Sequence, residues 1–222
     1  MTAAIGRVVV LFGLLATNAN AQPERPLPLD PLTPRELARA DSIVRSDGRV
    51  REFLAGGRSR LIAIQFIAVK LLRDPATPDG VQKRRTAQAL LYRYDKNQGM
   101  QALVDIGKGA VIDIAPIPGE SVPINKDEVA EAARLALADP RVVRLFGDRM
   151  PAFRVQMGPP TLKEANEPRI EGLRTVGATA KDPCYRLRCV VLFFHVNNHY
   201  VQINRVYVDL ISQRVFINGA GR

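Results

Sequence analysis

Pro31-Leu32-Thr33-Pro34-Arg35-Glu36-Leu37-Ala38-Arg39-Ala40 recurs at an offset of 92 (123 − 31) as Pro123-Ile124-Asn125-Lys126-Asp127-Glu128-Val129-Ala130-Glu131-Ala132. Each copy places a capping residue, Thr33 or Asn125, three positions ahead of a glutamate, Glu36 or Glu128. That spacing is a capping box, which satisfies N–H groups that a helix start leaves free. Pro34 suits the first helical position of the first copy. Leu37, Ala40, Ile43 and Val44 then form one apolar stripe, and Val129, Ala132, Ala133, Leu135 and Ala136 another. Gly48 closes the first helix or begins the turn after it. Asp139-Pro140 ends the second, with a short helical turn over residues 141–146.

Working outward, strands follow each helix. Alternating patterns predict strands over 59–72, 81–94, 100–106 and 110–117 in the first half, and over 185–196, 200–210 and 214–218 in the second. Leu103-Val104-Asp105-Ile106 before Val111-Ile112 recurs as Tyr207-Val208-Asp209-Leu210 before Val215-Phe216, at an offset of 104 (207 − 103). About twelve extra residues (104 − 92) therefore lie inside the second unit, whose stretch 147–182 is rich in Pro and Gly. Phe153, Val155 and Met157 mark a strand candidate there. Asp105 and Asp209 precede hairpin turns, where aspartate bonds nearby backbone N–H groups. The fold class is α+β, built from two units that each pack a helix on an antiparallel sheet.

The ends and composition bound the function. Arg7, the apolar run 8–16 and Ala19-Asn20-Ala21 form a signal peptide over 1–21, so export to the periplasm or outside the cell is expected. No transmembrane segment is expected in the mature chain. Residues 22–33 form a proline-rich arm. The formal net charge is +10, and +9 without the signal, which holds a single arginine. This excess suits an anionic partner: an acidic protein, nucleic acid or anionic lipid. Cys184 and Cys189 are the only cysteines. A straight strand would hold them roughly 16 Å apart. A bridge needs Cα atoms roughly 4.4–6.8 Å apart. Only a tight bend through residues 185–188 permits the bond, and two buried thiols are the alternative.

Several segments together resemble a known family. Pro28-Leu29-Asp30-Pro31-Leu32-Thr33 running into a helix is similar to the opening of the N2 domain of copper amine oxidases. Pro123-Ile124 into the Glu128 helix, ending Asp139-Pro140-Arg141-Val142, resembles the start of their N3 domain. Cys189-Val190-Val191-Leu192-Phe193-Phe194, then Asn198, Tyr200 and Val208-Asp209-Leu210 before Val215, resembles the closing strands of N3. The resemblance implies two cystatin-like units, 28–118 and 119–222. It does not carry amine oxidase activity. The family's catalytic domain holds copper with three histidines and makes topaquinone from a tyrosine that follows asparagine. This chain has two histidines, and none of its tyrosines follows an asparagine. Val201-Gln202-Ile203 also replaces the Arg-Pro that commonly follows the family's counterpart of Tyr200.

Candidate chemistry is sparse. His195 and His199 are the metal or pocket suspects; a two-residue loop at Asn197-Asn198 sends the imidazoles to opposite faces, and a three-residue loop places them together. Arg58, Arg60, Arg73, Lys83, Arg84 and Arg85 form a candidate basic binding face. Few aromatics accompany it, which argues against single-stranded nucleic acid. No serine nucleophile motif, Walker loop, dinucleotide fingerprint, EF-hand or Gln-x-Val-x-Gly inhibitor hairpin is present. No catalytic residue, cofactor or metal is expected. The expectation is a non-catalytic binding or assembly module with a protein partner. The alternatives are an enzyme or metal protein using a pocket near His195 and His199, and a polyanion binder using the basic face.

Overall fold

Thr33 Oγ1 accepts the Glu36 N–H at 3.3 Å, and Glu36 Oε2 accepts the Thr33 N–H at 2.9 Å, so helix α1 (Pro34–Ser46) starts where the capping box places it. Asn125 and Glu128 do the same for α3 (Lys126–Ala138), at 2.9 and 3.1 Å. The structure, a computed structural model, describes residues 30–67, 85–147, 150–158, 160–161, 164, 166–175, 184–185, 187–197 and 199–218, without the side chains of 202–205 and 218. The signal segment and the arm as far as residue 29 lie outside the described residues.

Each long helix leads directly into a second. Asp47 ends α1 and caps α2 (Gly48–Ala55), accepting the N–H groups of Arg49 and Val50 at 2.9 and 3.4 Å. Asp139 ends α3 and caps α4 (Pro140–Phe146), accepting the Arg141 N–H at 2.8 Å. Gly48 therefore begins a helix, contrary to its sequence reading as a stop or turn. The aspartate before it supplies the acceptor that this new start requires.

Two sheets follow these helices. The first joins β1 (Ser59–Phe66), β2 (Thr86–Arg93), β3 (Gln98–Asp105) and β4 (Ala110–Pro118) in sequence order, all antiparallel. The second joins β5 (Arg154–Gln156), β6 (Arg169–Thr175), β7 (Cys189–Val196), β8 (His199–Asp209) and β9 (Arg214–Asn218), also in sequence order. The chain is thus α+β, with helices packed on sheets. One correction concerns the second sheet, which is mixed: β5 runs parallel to β6. A parallel pair needs a crossover of about a dozen residues. The segment between Gln156 and Arg169 has that length, and it falls where the sequence offset grows. The sequence reading places no strand at β6, inside that Pro- and Gly-rich stretch.

The apolar stripes bury two cores. Ala40 and Val44 of α1 and Val50 of α2 pack on Ala87, Ala89, Leu91, Ala102 and Val104, one face of the first sheet. The other core joins the units. It gathers Val129, Ala132, Ala133 and Ala136 of α3 with Ile170, Val190, Leu192 and Phe194, and it also takes in Ile62, Leu90, Tyr92 and Tyr94 from the opposite face of the first sheet. Small side chains let α3 approach closely: a Cβ added at Gly172 would stand 2.6 Å from Val129 Cγ1. Burial of large apolar side chains stabilises by about 1.5–3 kcal/mol each, so this common core holds the two units together.

Candidate functional site

At the junction of the units lies a polar cluster built around the capping glutamate of α3. Glu128 Oε1 accepts from Tyr94 Oη and from Arg188 Nε, both at 2.5 Å. Its Oε2 accepts from Arg188 Nη2 at 2.8 Å and from the Asn125 N–H at 3.1 Å. Arg188 also donates to the carbonyls of Pro123 at 2.6 Å and Val122 at 3.1 Å, and its Cζ stands 4.0 Å from the centre of the Tyr92 ring. Neither Glu128 nor Arg188 reaches solvent. Burial pushes the Tyr92 hydroxyl up to about 12, and burial together with the Glu128 charge and hydrogen bond raises that of Tyr94 further. Arg174, whose Nη1 donates to the Val122 carbonyl, is lowered by burial and by the neighbouring Arg188 charge. Each oxygen of Glu128 accepts two donors, so the cluster's chemistry is structural.

The first unit carries the same device in a more open form. Arg85, just before β2, donates to both oxygens of Glu36 at 2.8 Å and to the carbonyls of Asp30 at 2.6 Å and Pro31 at 3.1 Å. Its own carbonyl accepts from Ile106, as that of Arg188 accepts from Leu210. The Arg85 hydrogen bond holds Glu36 down at about 2, well below the usual carboxylate range. A second clamp is also duplicated. Arg49 bonds Asp47 and the Val111 carbonyl, and Arg141 bonds Asp139 and the Val215 carbonyl. These arginines sew helix starts to distant strands in both units. Sequence reasoning missed these clamps: Arg49 and Arg141 share the helix offset of 92 (141 − 49), a signal that was available, whereas Arg85 and Arg188 are 103 apart (188 − 85) and match neither offset.

The described members of the candidate basic face, Arg58, Arg60 and Arg85, have neighbours within the fold. Arg85 is taken up by Glu36, and Arg60 pairs with Glu131 of α3 at 2.8 Å. Arg58 lies over the Tyr94 ring, 4.3 Å from its centre, with Nε and Nη2 buried and making no hydrogen bond among the described residues. These three side chains turn toward other parts of the fold because their partners, two glutamates and a tyrosine ring, lie there. Arg73, Lys83 and Arg84 lie outside the described residues.

The histidines do not meet. Val196 pairs with His199 and His195 with Tyr200, the register of a two-residue loop, so the two imidazoles leave opposite faces of the hairpin. His195 Nε2 stands 3.6 Å from Glu171 Oε2, and Arg169 Nη2 lies 3.4 Å from its Nδ1. Among the described residues no three His, Cys, Asp or Glu side chains assemble as a metal site, and no helix is long and apolar enough to cross a membrane. Asp105 accepts from the Lys108 N–H at 2.8 Å, and Asp209 from Ile211 and Ser212, each holding its hairpin turn. Cys184 and Cys189 are bonded, their Cα atoms 5.6 Å apart. A groove of about 420 Å³ runs between α1 and β1, lined by Leu37, Ala38, Leu61 and Ile64, beside the Asp41–Arg45 ion pair.

The outer face of the second sheet is the most distinctive described surface. Val191 and Tyr207 pack with the disulfide, Leu187, Phe193 and Phe216. Beside them stand Leu173, 60% exposed, and Tyr200, 44% exposed. The Phe193 and Tyr200 rings lie 5.8 Å apart, and Glu171, cross-strand from Phe193, forms the polar margin with Arg169 and His195.

No family model and no curated protein sequence matches this chain. Among solved structures it is similar to a copper-containing benzylamine oxidase from Hansenula polymorpha, with 15% identity and a TM-score of 0.49. The similarity covers 86% of this chain and 29% of that one, so the chain spans less than a third of the oxidase's length.

Proposed function

We propose that the chain is an exported, non-catalytic binding or assembly module that engages a protein partner, its two units corresponding to the amine oxidase N2 and N3 domains that its sequence resembles. The observation that carries this reading is the outer face of β6–β9. It presents Leu173, Phe193, Tyr200 and Phe216 as one apolar and aromatic strip, edged by Arg169, Glu171 and His195. Aromatic side chains at the centre with a polar margin are the usual composition of an energetic interface core. The common core and the Glu128–Arg188 pair hold this face rigidly against the first unit, which lowers the ordering cost of docking. The net charge, +10 for the whole sequence and +9 without the signal, favours an acidic partner.

Photo-crosslinking from position 200 in the full chain tests this, with position 65 on the first sheet as the control site. A discrete protein adduct from position 200, competed by the unlabelled wild type and not by Leu173→Asp, is the expected result. Equal adducts from both positions, or competition by Leu173→Asp as strong as by wild type, would refute the surface.

A further inference from the structure

We infer that protonation of His195 releases the partner from the outer face of β6–β9, so that docking there is tight at neutral pH and weak in acid. The inference rests on the reading of that face as the docking surface. Four side chains stand in one row across the sheet, because each is the register partner of the next: Arg154 of β5, Arg169 of β6, His195 of β7 and Tyr200 of β8. Arg154 and Arg169 are permanent cations. Arg154 is paired with Glu164 at 2.7 Å and Glu167 at 3.4 Å, and Arg169 Nε donates to Glu171 Oε1 at 3.0 Å. His195 stands between these cations and the aromatic strip, its ring centre 5.8 Å from that of Tyr200.

The contacts of His195 fix the form it takes. Arg169 Nη2 can only donate, so Nδ1, 3.4 Å away, is an acceptor. The ring proton therefore sits on Nε2, facing Glu171 Oε2 at 3.6 Å. Protonation adds an N–H at Nδ1, which sets donor against donor and puts a third cation in the row. Among the described residues only Glu171 offers His195 a carboxylate, and it already accepts from Arg169. Glu164 and Glu167 are engaged by Arg154 at the far end of the row. His199 leaves the opposite face of the hairpin and takes no part. The charged ring cannot keep the Arg169 contact and has to turn. Its side chain is only 17% accessible, so turning it disturbs the polar margin and the side of Tyr200 it stands against. Imidazole is the side chain that ordinarily changes charge between about pH 5 and 8.

Two measurements on the full chain test this. Ring signals of Tyr200 in the unbound protein, followed by NMR from about pH 8 to about 5, are expected to shift in step with the His195 ring, which starts as the Nε2–H form. His195→Gln keeps an acceptor for Arg169 and a donor for Glu171, and is expected to hold the Tyr200 signals at their neutral-pH positions throughout. A photo-crosslinker at position 173 reads docking with Tyr200 left in place. Its protein adduct is expected to fall at least about fivefold from about pH 7.5 to about 5.5, and to stay level in His195→Gln. Tyr200 signals indifferent to His195, equal adducts at the two pH values, or a fall as large in His195→Gln would each overturn the inference and leave the docking face standing. No adduct at either pH would sink the docking reading, and the inference with it.

Discussion

Arg188 and Glu128 meet across the junction of the two units with N–O distances of 2.5 and 2.8 Å, and neither has any solvent contact. Together with Tyr94, Tyr92 and the carbonyls of Val122 and Pro123, the pair fills a polar site inside an apolar core. Removing one member strands the other. Arg188→Met is expected to cost about 3–5 kcal/mol, read from urea unfolding. The double replacement Arg188→Met/Glu128→Leu is expected to recover part of that loss, and a purely additive outcome would show that the charges do not depend on each other.

The open clamp of the first unit controls acid stability. Glu36 titrates at about 2 in the folded chain, below its ordinary 4.5, because Arg85 hydrogen-bonds it. A lowered carboxyl contributes stability above the unfolded value, and this contribution is lost as pH falls from about 4.5 toward 2. Allowing for its partial exposure, the term is on the order of 1–2 kcal/mol. Wild type is expected to lose that much more than Glu36→Gln over this window, measured by unfolding at several pH values.

The duplicated short-helix caps are expected to behave alike. Asp47→Ala and Asp139→Ala each remove the acceptor for a helix start and its arginine partner. Each is expected to cost about 1 kcal/mol in thermal or urea unfolding. Arg49→Ala and Arg141→Ala, whose side chains are more than half exposed, are expected to cost less than the loss of the caps.

Close approach of α3 to β6 makes Gly172 intolerant of substitution. An alanine Cβ would fall 2.6 Å from Val129 Cγ1 and 2.9 Å from Val190 Cγ1. Gly172→Ala is expected to destabilise by about 1–3 kcal/mol through overpacking. Combining it with Val129→Ala is expected to relieve the Val129 contacts and leave the one with Val190, so part of the loss returns, and a calorimetric comparison of the three variants checks this.

Local signals made much of this architecture legible. Thr33 with Glu36 and Asn125 with Glu128 announce helix starts because a capping box is closed within four residues. The hairpins at Asp105 and Asp209 are legible for the same reason. For Cys184 and Cys189 the sequence states only the condition for a bridge, since Cα reach is a short-range constraint, and leaves the choice between bridge and thiols open. Helix α2 escaped because Gly48 reads as a stop, and its start depends on Asp47 serving two helices at once. The destinations of Arg58, Arg60, Arg85 and Arg188 were not legible. Their partners lie tens of residues away along the chain, and a run of cations reads as a solvated face until those partners are located.

By itself the sequence determined two helix-led α+β units, their duplication and the place where the second diverges, because capping, periodicity and turn chemistry act over a few residues. Only the tertiary structure decided that the first sheet is packed on both faces, that Glu128 is more than a cap, and that the cations nearest the junction face inward. Those outcomes depend on which distant groups are desolvated together. Desolvation belongs to the packed chain, and no short segment of sequence encodes it alone.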